Sequence, residues 1–388
     1  MTGTGQRARI GRALLALCGH RANETGELSD TDWQALDRLA DQHRLRPFLH
    51  GRTTRKEIGA APQAIRENWR EAHRNNAIAV LAQRRALLQA VATLSGAGIG
   101  AVALKGSALA WTVWPAPSER EMRDIDLLVA EDNAPTAYEA LRSAGWKAPE
   151  LSAGELAKFA SSETHLPPLY SPEAVMCELH ARVWGNAPLP GSSMPLGDEA
   201  GLLGRARYEQ SLGAAVPATS DMLAHLVVHA ACSHLLNVGP MALVDIDLLC
   251  KRRAIDWKAF WERAERNGYD RPAALVFALV ERWQTPAFLE TSQCPHEIEA
   301  DLLDGAELLL VQDLAARKDI NAIASLSSGI LGGRMGQHPL DRAEGPISLA
   351  GRVKQVASRA FSVGRSMLSP ETRRDGLATA KLQKWMEG

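Results

Sequence analysis

The sequence predicts an α+β protein: a mixed β-sheet core flanked by helices, with a helical layer before it and a helical region after it. Three observations lead there. Residues 98–129 read in turn as a short apolar run, a helix, a polar loop and a second apolar run, a strand–helix–strand pattern. Before them, Pro62 to Ser95 carries a long helical periodicity. After Ser220, helical patterns succeed one another with short breaks.

Taken in order, residues 1–95 form the helical N-terminal region. Ser29 to Asp32 reads as a helix start, with Trp33, Leu36, Leu39 and Ala40 on one face of the helix it opens. In the long helix Ile78, Leu81, Leu88, Val91 and Leu94 make the expected inward stripe, with arginines and glutamines opposite. Residues 96–200 form the core. Ala101 to Leu104 reads as a buried strand, Ala108 to Trp114 as the helix leaving it, and Leu127 to Val129 as the return strand. Pro135 to Ala144 is a helix stopped by Gly145, and a helix is expected around Glu155 to Ala160. Thr164 to Tyr170 and Val175 to Ala181 read as strands joined by a Ser-Pro-Glu turn, the first demoted to an edge by Pro167 and Pro168. Residues 201–325 are expected to be helical. Residues 326–350, rich in Gly, Ser and Pro, read as a linker, and 351–388 as a basic amphipathic tail with eight Lys/Arg against three Asp/Glu.

At 388 residues the chain can bury a sizeable core. A net charge of −1 offers no global electrostatic case for binding nucleic acid, which is therefore not the expected partner. The five cysteines are scattered with no CxxC, so neither a disulfide framework nor a zinc cluster is expected, and the reading is a cytoplasmic protein. No signal peptide or membrane-spanning stretch stands out. The basic tail is left open to a docking partner or a membrane surface, with a solvated helix as the plainer account.

The chemistry concentrates around Asp124 and Asp126. Two apart on an extended segment, they share a face while Ile125 takes the other. Two parallel carboxylates are poor core residues unless a cation lies between them and a phosphate. The second strand of the later pair alternates cleanly: Val175, Cys177 and Leu179 on one side, Met176, Glu178 and His180 on the other.

Gly106-Ser107 after a strand, followed by Asp-x-Asp at the start of the next, resembles the signature of the DNA polymerase β-like nucleotidyltransferase superfamily. The segments Gly98 to Ala110, Arg123 to Val129 and Glu178 to His180 resemble its branch of uncharacterised bacterial nucleotidyltransferases. The resemblance implies metal-dependent transfer of a nucleoside monophosphate from an NTP to an acceptor, with Mg²⁺ or Mn²⁺ held by Asp124, Asp126 and Glu178. It implies that Gly106 and Ser107 cradle phosphates, with Lys105, Arg123 and His180 contributing to the nucleotide site. The acceptor is unidentified: a small molecule, peptide or sugar. The rival expectation is an inactive nucleotide-binding or adaptor protein on the same fold.

Two further patterns draw a different reading. Asp245-Ile246-Asp247 copies the acidic motif, but its setting is a helix, where residues two apart do not share a face. His225 and His229, four apart on a helix with His234 nearby, have zinc-like spacing but lack a zincin glutamate, so packed helix histidines are expected. His165 opens the preceding strand and Arg120 lies in the loop before Asp124, both weaker site candidates.

Overall fold

A computed structural model describes residues 3–59, 61–184, 199–312 and 370–387. The expected linker at 326–350 lies outside the described residues, as does the first half of the tail. The strands are β1 (Val102–Ala103), β2 (Asp124–Leu128), β3 (Leu169–Tyr170), β4 (Met176–His180), β5 (Arg207–Glu209) and β6 (Ala214–Val216). They form one sheet in the order β3-β4-β2-β1-β6-β5. The pairs β2–β4 and β1–β6 are parallel and the other three antiparallel, so the sheet is mixed. Strands β5 and β6 come from the stretch expected to be helical. At three residues each, flanking a turn with Gly213 at φ 84°, they are too short to display an alternating pattern.

The N-terminal layer consists of α1 (Gly3–Cys18), α2 (Asp30–Gln42), α3 (Arg46–Thr54) and α4 (Gln63–Gly96). The predicted start of α2 is a capping box: Asp32 N–H donates to Ser29 Oγ and Ser29 N–H donates to the Asp32 carboxylate. Asp37 of α2 ties the layer together, accepting from Arg46, from Asn68 and from the indole N–H of the fully buried Trp69.

α4 is phased differently from the expectation. Ile78 and Leu81 are 72% and 60% exposed, while Asn76 and Gln83 are buried. The cause is the loop that α4 covers. Asn76 Nδ2 donates to the Ser118 carbonyl at 2.8 Å and Gln83 Nε2 to the Met122 carbonyl at 2.9 Å. That loop, with one 3-10 turn at Pro117–Glu119, presents carbonyls that need donors, so the inner face of the helix is partly polar there. By length and composition α4 could cross a bilayer, which its sequence had not suggested. Its Trp69, Leu87 and Leu94 are core residues here.

Around the sheet lie α5 (Lys105–Thr112), α6 (Ala134–Ser143) and α7 (Ala153–Ser162). After α8 (Glu199–Arg205), α9 (Thr219–Val228) runs into a π-helical turn, His229–Ser233. Then come α10 (Met241–Arg252), α11 (Trp257–Asn267), α12 (Asp270–Trp283), α13 (Phe288–Thr291) and α14 (Ala300–Leu310). The last described helix, α15 (Pro370–Glu387), docks on α14 where Gly305 faces Ala378, with Leu382 buried and Trp385 beneath Arg271. One continuous apolar core spans Leu14, Leu127, Phe277 and Leu382.

The helical C-terminal region is joined to the loop before β2 by charge. Arg120 donates from Nε and Nη2 to both oxygens of Asp245 on α10, at 2.8 and 2.7 Å, and the Trp114 indole adds a third bond at 2.8 Å. Both side chains are nearly enclosed, 12% and 3% exposed. Removing one partner of such a pair strands a buried charge. Asp245→Ala is expected to lower unfolding free energy by roughly 3–5 kcal/mol, measured by urea titration, whereas Asp245→Ala with Arg120→Met should recover much of that loss.

Candidate active site

The site is set by register. In the parallel pair, Asp124 lies opposite Met176, Asp126 opposite Glu178 and Leu128 opposite His180. Alternation then puts Asp124, Asp126, Glu178 and His180 on one face, and Cys177 and Leu179 in the core on the other. His180 Nε2 lies 2.9 Å from Asp126 Oδ1 and 3.6 Å from Glu178 Oε2. One ligating atom from each of Asp126, Glu178 and His180 falls within 4.8 Å of the others.

Lys105 completes the cluster, its Nζ donating to Asp126 Oδ1 at 2.7 Å. It is the first residue of α5 and has φ 43°, left-handed backbone that costs a non-glycine residue about 1–3 kcal/mol and is typical of constrained sites. Gly106 and Ser107 therefore sit inside the first turn of α5, not in a turn ahead of it as the sequence suggested. Ser107 is buried, and its Oγ accepts from the Asp126 backbone N–H at 2.8 Å, locking the β2 backbone at Asp126 to α5. A side chain at Gly106 would collide with the Arg120 guanidinium and the Met122 sulfur, so the glycine makes room for the Arg120–Asp245 pair.

Burial opposes charge throughout the cluster, and the partners decide the outcome. Lys105 and His180 overcome it at Asp126, holding its carboxyl well below the usual range. At Glu178 burial is likewise outweighed, by His180 and His165, and the carboxyl is lowered. His180 is raised: burial and Lys105 disfavour its proton, but Asp126 and Glu178 retain it. Asp124 goes the other way. Burial, then the charges of Asp126 and Glu178, push its carboxyl up to about 6, only partly offset by Lys105 and Arg44.

The structure thus brings Lys105, Ser107, Asp126, Glu178 and His180 together, with Asp124 at the open end of the same face. Arg123 is exposed beside it. His165 pairs with His180 through a β-bridge, their rings 5.5 Å apart. The second acidic motif behaves as expected: Asp245 holds Arg120, and Asp247 holds Lys251 and Thr285. His225, His229 and His234 form a chain of edge-on rings at 6.0 and 4.4 Å. Burial, with Lys105 next, keeps the first two neutral. Sequence reasoning missed Arg44, in Arg-Leu-Arg-Pro, whose charge reaches Asp124 and Glu121. Its only signal was one more basic residue near a helix end, a common surface feature.

A family described as uncharacterised nucleotidyltransferases matches residues 29–285, taking in every residue of this cluster. The chain belongs to that family. No curated protein matches the sequence. The match supports transfer of nucleotidyl groups as the general activity of this nucleotidyltransferase, and its mixed sheet with flanking helices is consistent with the superfamily.

The nucleotidyltransferase's residues fit a divalent cation. Two carboxylates and an imidazole converge, and the third carboxylate is driven towards its neutral form by burial and then by the charges of Asp126 and Glu178, a repulsion that a bound cation would relieve.

A carboxyl whose folded value, about 6, lies above its ordinary value of 3.8 favours the folded state at low pH and loses that contribution as pH rises through 6. Asp124→Asn should therefore stabilise the metal-free protein at pH 7.5, by about 1–2 kcal/mol. Urea unfolding should show the difference shrinking as pH falls below 6 and vanishing only below 3.8. A variant no more stable than wild type at pH 7.5 would contradict the repulsion.

Proposed function

We propose that this nucleotidyltransferase moves a nucleoside monophosphate from an NTP to a hydroxyl-bearing acceptor, releasing pyrophosphate. The observation that carries this reading is the convergence of Asp126, Glu178 and His180 within 4.8 Å, with Asp124 on the same strand face, in a chain of this family.

In this reading Asp124, Asp126 and Glu178 hold Mg²⁺ or Mn²⁺, with His180 beside them. The cation, when bound, neutralises phosphate charge and polarises the phosphorus–oxygen bonds. Lys105 holds Asp126 at a single orientation and adds positive charge near the transferring phosphoryl group. The N-terminal turn of α5, which includes Gly106 and Ser107, offers backbone N–H groups towards the phosphates. Glu178, the most exposed of the convergent three at 24%, is the group to take the acceptor proton. The acceptor oxygen bonds to the α-phosphorus as the bond to the bridging oxygen breaks, and that electron pair leaves with pyrophosphate. The neutral His225 and His229 supply a polar wall without adding charge.

Wild type should consume NTP in a Mg²⁺- or Mn²⁺-dependent manner with a suitable acceptor, read by mass spectrometry of a metabolite or peptide extract incubated with labelled NTP. Asp126→Ala and Glu178→Ala should each reduce turnover by roughly a hundredfold or more. Thermal stabilisation by NTP should need the metal. An inactive adaptor would bind nucleotide without turnover in any extract, and equal turnover in wild type and Asp126→Ala would remove the proposal.

A further inference from the structure

Where the helical layer meets the loop before β2, the surface opens into a polar cleft of about 400 Å³. Asp41 of α2, Glu71 of α4 and Glu121 of the loop bring three carboxylates to it, and Asn75 and Asn76 of α4 add amides. Arg46 also lines the cleft but is already committed, to both oxygens of Asp37 and to Asp41 at 2.6 Å. Glu71 and the half-buried Glu121 make no side-chain hydrogen bond or ion pair with any described residue. Asn76 is 4% exposed, and while its Nδ2 reaches the Ser118 carbonyl, its Oδ1 is buried without a partner. A half-desolvated carboxylate and a buried amide oxygen that lack donors are both unfavourable, and a donating ligand relieves both.

That ligand is not a metal ion. The acids of the cleft do not converge: among the described residues, ligating atoms come within 4.8 Å of one another only at Asp126, Glu178 and His180. A space of this size suits an organic molecule. Carboxylates in excess of free cations select an ammonium group, which has three donors and no acceptor.

The cleft adjoins the carboxylate centre in two ways. Glu121 precedes Asp124 by three residues, a span of at most about 11 Å. Met122, which lines the cleft, packs beside the first turn of α5, where a Cβ at Gly106 would meet its sulfur at 2.8 Å. Lys105 and Ser107, on either side of that glycine, are the residues bonded to Asp126.

We propose that this cleft is the acceptor's subsite, and that the acceptor carries an ammonium group, held by Glu121 and Glu71, in addition to the hydroxyl that reacts. The ligand's role as acceptor rests on the nucleotidyl-transfer reading, whereas the preference for a cation rests on the cleft alone. The ammonium stays protonated and is a handle. Fixing that end of the molecule restricts the hydroxyl end, which is how a positioning contact assists transfer.

The first test is calorimetric titration of the full-length protein with the disaccharide of glucosamine, with spermidine, and with cellobiose, whose skeleton carries hydroxyls in place of the ammoniums. The two amines are expected to bind about tenfold or more tightly than cellobiose, and to lose that margin as salt is raised. Glu121→Gln should weaken the amines about tenfold. Glu71→Gln, which changes an exposed side chain and leaves folding undisturbed, should weaken them by a smaller factor, and neither variant should alter ATP binding. The second test takes the acceptor labelled by NTP in a cell extract and measures its charge after the nucleotide is removed: it should be cationic at pH 7. For that acceptor Glu71→Gln should raise KM and leave kcat nearly unchanged. The proposal is overturned if amines bind no better than cellobiose, if both glutamate variants bind them as wild type does, or if the labelled acceptor has no cationic group. The last of these outcomes would leave the transfer reading intact. Glutamate-dependent amine binding in a protein that turns over no NTP would sink the transfer reading and leave the cation site standing.

Discussion

The hold that Lys105 and His180 exert on Asp126 governs this part of the molecule. Three carboxylates on one sheet face would repel one another and resist burial, and each would tend to take up a proton. A lysine amine at 2.7 Å and an imidazole at 2.9 Å reverse that tendency at the central one. The remaining imbalance falls on Asp124, whose carboxyl rises while that of Asp126 falls. The consequence is a division of labour along a single strand: one acid permanently ionised and fixed in place, the other nearer the surface and poised close to neutrality. Left-handed backbone at Lys105 is tolerated because that ion pair, the strand bond from Leu104 N–H to the Asp126 carbonyl and the Ser107 acceptor all constrain the same turn.

Much of this face was legible in the sequence alone. The period of two in Asp-Ile-Asp and in Met-Cys-Glu-Leu-His states which side chains point together within a strand. What a single strand cannot state is its neighbour. The parallel pairing that lays Asp126 beside Glu178 joins segments separated by two helices and an edge strand, and only tertiary packing selects that register. His180 was read as a nucleotide contact, and its nearness to both acids arises from the same pairing. Gly106 has a second role that the sequence did not announce. A glycine after a strand suggests close approach of a ligand, and the structure adds a neighbour that needs the space, Arg120, held there by a helix more than a hundred residues later. On α4 the apolar periodicity misled because buried polar residues are invisible to a hydrophobic pattern. Asn76 and Gln83 face inward to satisfy loop carbonyls, which turns Ile78 and Leu81 outward.

The helices outside the sheet are thus parts of the site. α4 fixes the path of residues 118–122 into β2 through two carbonyl contacts, and α10 holds Arg120 from the other side. The loop between α5 and β2, proline-marked and polar in the sequence, is gripped at both flanks. Apart from a single 3-10 turn at Pro117–Glu119, its order comes from amide and guanidinium donors supplied by distant segments.

The Arg120–Asp245 pair also bears on how such a protein can change over generations. Either residue alone is a liability in a closed interior, so the two positions are expected to drift together or not at all. Because the space for Arg120 exists only above a glycine, position 106 is drawn into the same constraint. The first turn of α5 and a remote helix are in this way inherited as a unit, and the sheet cannot be borrowed as a detachable cassette without its C-terminal helices.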